Sequence, residues 1–350
     1  MNPVSLYDME AIARLRMTHD VWDYVAGGAA DEITLRRNRE AFDEIVINPR
    51  FLVDVESVDL SMTVLGTRID LPIMAAPTGA QWEAHPDGEL AVAKATGSVG
   101  TLMGLATGSN RTIAEIAEAT PGPVWLQLYH LDDAVTEFLV AGADAAGYAA
   151  LCLTIDSPSG PSKEKDVRNQ FRAQPGMGWV ELRDRPDLME RVTNRGDRPP
   201  AKMSWSRLAW LKSLSNMPLV VKGILTVEDA LRCVEHGVDA IVVSNHGGRT
   251  LDTLPASIEV LAAIAEAVGG SIEVYMDSGI RRGTDVLKAL ALGARAVLVG
   301  RPVMWGLAFD GENGVRTMFE ILRKELELAM AYCGVSNLRE IERSLVMLPK

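Results

Sequence analysis

The chain has 350 residues, 47% hydrophobic and 23% charged, enough to bury a large core in two ordinary domains or one barrel. Its 35 Lys and Arg against 47 Asp and Glu leave a formal charge of -12, which argues against nucleic acid and anionic membrane surfaces as partners. A small anionic substrate stays open, because a few basic residues in a cleft outvote the global sign.

Leu6–Leu15, His19–Ala26 and Asp31–Phe42 read as helices, with Gly27-Gly28 breaking the second from the third. They are expected to cap the amino end of the main fold or to reach around it. Short apolar runs then recur at Leu71–Ala76, Thr101–Leu105, Val124–Tyr129, Ala150–Ile155, Leu219–Lys222, Ala240–Ser244, Ile272–Asp277 and Ala296–Val299. Amphipathic stretches separate them, among them Thr112–Ala119, Asp132–Gly142, Val227–His236, Ile258–Val268 and Asp285–Leu292. Strands alternating with helices imply a parallel sheet with right-handed crossovers. Eight strands, apolar on both faces, are the number that closes a barrel. The rival, an open doubly wound sheet, normally carries G-x-G-x-x-G after its first strand, and none occurs.

The expected fold is therefore α/β: a (β/α)8 barrel at 71–335 behind a helical cap at 1–70, within a single domain, 1–350. Residues 157–204, after strand four, are too long for an ordinary βα loop. They are expected to lie over the carboxyl face of the barrel as a lid; a disordered insert is the alternative.

Cys152, Cys233 and Cys333 lie far apart without metal-ligand spacing and read as reduced residues. No secretory leader opens the chain and no apolar run approaches the ~18 residues that span a bilayer. Met347-Leu348-Pro349-Lys350 is not a peroxisomal address. A cytoplasmic protein without membrane contact is expected.

Asp277-Ser278-Gly279-Ile280-Arg281-Arg282-Gly283 follows strand seven, and Gly300-Arg301-Pro302 follows strand eight, each at a helix start. Glycines and free helix N–H groups let a phosphate approach, guanidiniums add charged donors, and these two loops are the habitual phosphate site of such barrels. A phosphate-bearing ligand is implied.

Ser244-Asn245-His246-Gly247-Gly248-Arg249 ends strand six. A base beside a guanidinium suits removal of a proton from an anionic substrate. Asp156, ending strand four, is a candidate to orient His246 and stabilise its imidazolium. Lys222 closes an apolar run and needs a negative partner; a flavin that becomes anionic on reduction would serve. Gln127, Tyr129 and Thr154 add polar groups on the same rim. His/Asp/Glu ligand spacing, a serine elbow and a P-loop are all missing.

Together with Gly27–Glu32, Ala76-Pro77-Thr78, His85–Glu89, Gln127-Leu128-Tyr129 and Thr154-Ile155-Asp156, these residues resemble the FMN-dependent 2-hydroxy acid oxidase and dehydrogenase family, which includes glycolate oxidase, lactate oxidase and mandelate dehydrogenase. The resemblance implies FMN as cofactor and oxidation of a 2-hydroxy acid to the 2-oxo acid, the electron pair passing to flavin N5 as hydride or through a carbanion. It implies that Pro77, Thr78 and Gly79 contact the isoalloxazine through backbone, and that Gln127, Thr154, Lys222 and Ser244 bond its polar edge. Asp277, Ser278, Gly279, Ile280, Arg281, Gly300 and Arg301 would hold the ribityl phosphate end. Tyr24 and Arg249 would grip the substrate carboxylate, Tyr129 its hydroxyl, and His246 would take the proton. Oxygen or another carrier would reoxidise the flavin, and a homotetramer or octamer is implied.

Three positions depart from the family. Its second carboxylate-binding arginine is matched by Ser162, followed by Lys163, which restores part of the charge. Gly108 stands where short-chain oxidases carry an aromatic, which favours a bulky or aryl-bearing substrate. Ala106 replaces a flavin-bonding serine, with Thr107 beside it to compensate. The Ser162 departure motivates a rival reading: oxidation of an alcohol or amine without the usual carboxylate grip. A third reading is a flavin-binding protein with little turnover, or a non-redox barrel for a phosphate ligand.

Overall fold

The computed structural model describes residues 2–129, 131–158, 163–193 and 204–349. Among them, eight parallel strands close a barrel in sequence order: β1 (Ile73–Ala75), β2 (Met103–Leu105), β3 (Val124–Leu128), β4 (Ala150–Thr154), β5 (Leu219–Ile224), β6 (Ala240–Val243), β7 (Glu273–Met276) and β8 (Ala296–Val299). Closure is made by β8 against β1, with Val297 opposite Ile73 and Val299 opposite Ala75.

Side chains alternate along each strand, and the alternation divides the apolar residues into two cores. Met74, Trp125, Cys152, Val220, Val242, Tyr275 and Leu298 fill the barrel interior, while their neighbours pack outward beneath the helices. Two residues further along each strand, the same parity reaches Ala76, Gln127, Thr154, Lys222, Ser244, Asp277 and Gly300. The period that builds the core therefore also delivers one inward ring at the carboxyl end.

The helices expected from the sequence form with small shifts at their ends: α5 (Ile113–Ala119), α6 (Asp133–Ala145), α10 (Val227–Glu235), α11 (Ser257–Val268) and α12 (Gly283–Ala291). Thr112 and Thr226 cap α5 and α10 by accepting backbone N–H bonds through their hydroxyls. Two further helices are α4 (Gly88–Ser98) and α13 (Arg301–Tyr332), the latter starting where a helix was expected after β8 and interrupted at Asp310 and Gly311.

The opening helices α1 (Leu6–Arg16), α2 (His19–Ala26) and α3 (Ile33–Glu44) do not plug the amino end. A hairpin of Met62–Val64 and Thr67–Ile69 does, with Val64 and Ile69 in the interior core. The helices instead reach around the barrel, where Arg249 donates to the Tyr24 and Val25 carbonyls of α2 and Asn38 of α3 bonds Asn245.

In the long loop after β4, the described part contains α7 (Glu164–Arg168), a 3-10 turn (Val180–Leu182) and α8 (Pro186–Thr193), followed by α9 (Ser206–Ser213). It is pinned to the opening helices: Lys165 pairs with Glu32 at 2.9 Å, Asn169 donates to Asp23 at 2.8 Å, and Phe171 stacks on Tyr24 at 4.4 Å.

Candidate active site

A cavity of about 1290 Å³ opens at the carboxyl ends of the strands. Ordinary small-molecule sites run to about 300–1,000 Å³, so it has room for a cofactor and a substrate together. Pro77, Thr78, Gly79 and Lys222 line its inner part; Gly279, Ile280, Arg281, Gly300 and Arg301 line one side; Tyr24, Tyr129, Lys163, His246 and Arg249 line another. Ala106, Gln127, Thr154 and Ser244 lie buried behind that wall.

His246 and Asp156 meet across the mouth, Nδ1 to Oδ1 at 2.8 Å. Burial works against the Asp156 charge, but His246 and Lys222 outweigh it and hold its carboxyl below the ordinary range. Gly223 makes the approach possible: a Cβ there would stand 2.7 Å from the Asp156 Cβ, and its φ of 112° suits glycine. His246 itself has φ 58°, a strained conformation that its surroundings must enforce.

That enforcement comes from Asn245, which sequence reasoning did not single out. Its Oδ1 accepts from Asn38 Nδ2 and the Gly248 N–H, while its Nδ2 donates to Asn38 Oδ1 and the Pro255 carbonyl, all within 2.7–3.1 Å. Gly248 lies so close to α3 that a Cβ would stand 2.7 Å from the Leu35 nitrogen. An asparagine in a helix carries no sequence signal of this pairing.

Lys222 donates to Ser244 Oγ at 2.9 Å and pairs with Asp277 at 3.0 Å. Its negative partner is thus in the chain, not left to a flavin alone. Burial opposes its charge, yet Asp277 and Asp156 hold its pKa above that of an ordinary lysine. Asp277, expected at the phosphate end, is the carboxylate that pairs with Lys222. Ser278 turns inward too, donating to Asp277 and accepting from the Gly247 N–H.

Arg301 lines the same cavity and is bonded within the chain. Its three nitrogens donate to the carbonyls of Val25, Gly247 and Gly27 at 2.8–3.0 Å. The side chain therefore staples α2 to the His246 loop. Arg281, also on the cavity wall, is stacked over Trp305 and pulled down to about 10 by burial.

Lys163 is buried on the cavity wall, paired with Asp166, its ammonium 4.2 Å from the centre of the Tyr24 ring. Arg249 stands over the same ring at 5.1 Å. Burial and the neighbouring Arg249 bring Lys163 down to about 8, with Asp166 opposing. Ser162 lies outside the described residues. Beside Ala106, the Thr107 hydroxyl donates to the Gln127 carbonyl at 2.5 Å and its N–H to Gln127 Oε1. Gly108 does not by itself enlarge the cavity. A Cβ there would meet the Trp179 indole at 3.8 Å, so the loop supplies the bulk that the barrel lacks.

The cradle fits a flat, phosphate-tailed ligand. Gly79 has nothing within 4 Å of a would-be Cβ, leaving bare backbone against which a ring can lie, while Arg281 and the Arg301 N–H gather at the other end. Among the described residues no group of three or more His, Cys, Asp or Glu side chains forms a metal site, and no helix is long and apolar enough to cross a membrane.

A family model described as FMN-dependent dehydrogenase matches residues 13–348. The chain is 46% identical to an L-lactate oxidase of a Nostoc species, over 99% of each. It is 44% identical to glycolate oxidase 3 of Arabidopsis thaliana, over 98% of this chain and 96% of that one. A crystal structure of mandelate oxidase, 40% identical, superposes over 99% of each chain with a TM-score of 0.92.

Proposed function

The chain belongs to the FMN-dependent dehydrogenase family, and from that premise we propose that it oxidises a bulky 2-hydroxy acid with His246 as the base. FMN-dependent oxidation of a 2-hydroxy acid is the reaction common to these relatives. The single observation that carries the finer reading is the 2.8 Å contact between His246 and Asp156, on the wall of the same cavity as Arg249 and Lys163.

Turning CH–OH into C=O releases two electrons and two protons. FMN, when bound against Pro77–Gly79 and Lys222, supplies the electron acceptor. His246 takes a substrate proton at Nε2, because Nδ1 is held by Asp156, whose carboxylate stabilises the resulting imidazolium. Arg249 and Lys163, on the Tyr24 ring, bind the substrate carboxylate as two cations. Tyr129, whose hydroxyl burial keeps protonated, orients the substrate hydroxyl. Gln127 and Thr154, joined at 3.1 Å, and Ser244 would hold the polar edge of the cofactor, while Arg281 and the N–H groups at Gly300 and Arg301 would take its phosphate.

The rival reading, an alcohol or amine without a carboxylate, took Ser162 as the residue in the second arginine's place. The buried ammonium of Lys163 beside Arg249 weighs against it. A mandelate-sized side chain suits the cavity volume; relatives named for lactate and glycolate mark the smaller alternative. The test is anaerobic rapid mixing of the FMN-loaded protein with mandelate, lactate, glycolate and a long-chain 2-hydroxy acid. Bleaching of the flavin fastest with the bulky acids is expected. No bleaching by any hydroxy acid overturns the assignment, and preference for glycolate overturns the bulky substrate.

A further inference from the structure

The amino end of α12 carries two carboxylates, and both are already engaged by the chain. Asp285 Oδ2 accepts the N–H groups of Arg281 at 2.9 Å and Arg282 at 3.0 Å. Glu325, from α13, accepts the Gly283 N–H at 2.8 Å and the Arg282 guanidinium at 2.7 Å. The N–H groups that open this helix are therefore consumed inside the protein and not left for a ligand. Arg282 answers the charge of Glu325, which leaves the buried Asp285 carboxylate in need of a cation.

That cation comes from outside the barrel. Arg39, on α3, donates Nη1 to Asp285 Oδ2 at 2.6 Å and to the Gly279 carbonyl. The carbonyl belongs to a constrained turn: Ser278 has φ 78° and Gly279 φ 90°, and a Cβ on Gly279 would collide with the Asn38 carbonyl oxygen. A serine in that region is strained and persists only where its surroundings hold it. Arg39 itself is not among the described residues that line the cavity, so it acts through Gly279 and Asp285. We infer that Arg39 is a positioning residue for the cofactor phosphate: it fixes the turn after β7 and cancels the Asp285 charge behind it. The inference rests on the phosphate placement proposed above, at Arg281, Gly300 and Arg301.

Both roles act on the same end of the ligand. With Arg39 in place, Asp285 is half of a neutral pair. Without it, a bare carboxylate is left beside the segment that takes the phosphate dianion, and the Gly279 carbonyl loses the donor that holds the turn. The isoalloxazine is held by other residues, Pro77–Gly79 and Lys222 under the same reading. Riboflavin has the ring and the ribityl chain but no phosphate, so the two flavins separate this role from a general loosening of the fold.

Dissociation constants of the apoprotein for FMN and riboflavin are measured by flavin fluorescence, at one pH and salt concentration, for the wild type, R39M, R39K and R281M. R39M is expected to weaken FMN about tenfold or more, the scale of one charge-assisted interaction, and to change riboflavin by less than about twofold. R39K keeps the charge without the fork and should recover part of the loss. R39Q, an uncharged donor, stands in if R39M does not fold, with about threefold expected of it. A constant ratio of the two affinities overturns the inference, whether both flavins weaken or neither does, because a purely structural role reaches the ring end as well. R281M tells the two readings apart. If it lowers the preference for FMN and R39M does not, only the role of Arg39 falls; if neither lowers it, the phosphate placement falls too.

Discussion

Two arcs face each other across the cavity, and they are built differently. On one, Lys222, Asp277, Ser244 and Thr154 stand at strand ends, with Asp156 and His246 two residues beyond. Their places follow from barrel register, where Thr154 lies opposite Lys222. A slip of one residue would turn every one of them away. On the other, Tyr24 comes from α2 and Lys163 from the loop after β4, held by hydrogen bonds and ring contacts outside the barrel. Under the proposed function, the barrel arc would carry the proton chemistry and the outer arc would carry recognition. Changes in the first should therefore slow the reaction with binding intact, and changes in the second should weaken binding first.

The sharpest break of that division is H246Q. Flavin reduction is expected to slow about a hundredfold to ten-thousandfold, the usual worth of a general base, with FMN affinity unchanged. Stopped-flow reduction and flavin titration measure the two separately; retention of wild-type speed would remove His246 from the chemistry. Next in size is K163M, which deletes a charged partner of the substrate carboxylate. KM for 2-hydroxy acids should rise about tenfold to a hundredfold, with less effect on the limiting rate. Because Lys163 loses its proton above about 8, KM in the wild type should rise with pH beyond that point. K163R should move the rise to higher pH, since a guanidinium stays charged. A KM profile that K163R leaves in place would break the link between this ammonium and the substrate.

The same division explains what was readable in advance. Short apolar runs alternating with helical patterns gave the eight strands and, at their carboxyl ends, the rim groups Gln127, Thr154 and Lys222, while Ser244 came with the motif that ends strand six. Parity says nothing of partners, so Lys222 was matched to a cofactor before Asp277, and the Arg301 side chain to a phosphate before three carbonyls. Loops have no period at all. Ser162, matched to the family's second arginine, lies outside the described residues, while Lys163 beside it is buried near Arg249. Trp179, remote in sequence from Gly108 and adjacent in space, was invisible for the same reason.

A smaller effect is expected at the seam between the arcs. N38L removes one partner of the Asn245 amide and should cost about 1–3 kcal/mol of stability, read as a lower urea midpoint. The flavin reduction rate should fall with it, because Asn245 precedes the strained His246. A rate that falls while the midpoint holds would place Asn38 in the chemistry rather than the scaffold.

The smallest expected effect tests how the outer arc sets substrate size. Trp179 occupies the space over Gly108, so W179A should open room that Gly108 alone does not, and the limiting rate should stay near wild type because His246 and Asp156 are untouched. The kcat/KM ratio of a bulky to a small 2-hydroxy acid should shift by about tenfold, the scale of one poorly filled hydrophobic pocket. G108A probes the same contact from the barrel side. Its methyl group would meet the indole at 3.8 Å, an ordinary packing distance, so it should leave the ratio nearly unchanged. If G108A shifts selectivity and W179A does not, the barrel and not the loop sets the size limit, and the division between the arcs does not extend to the substrate side chain.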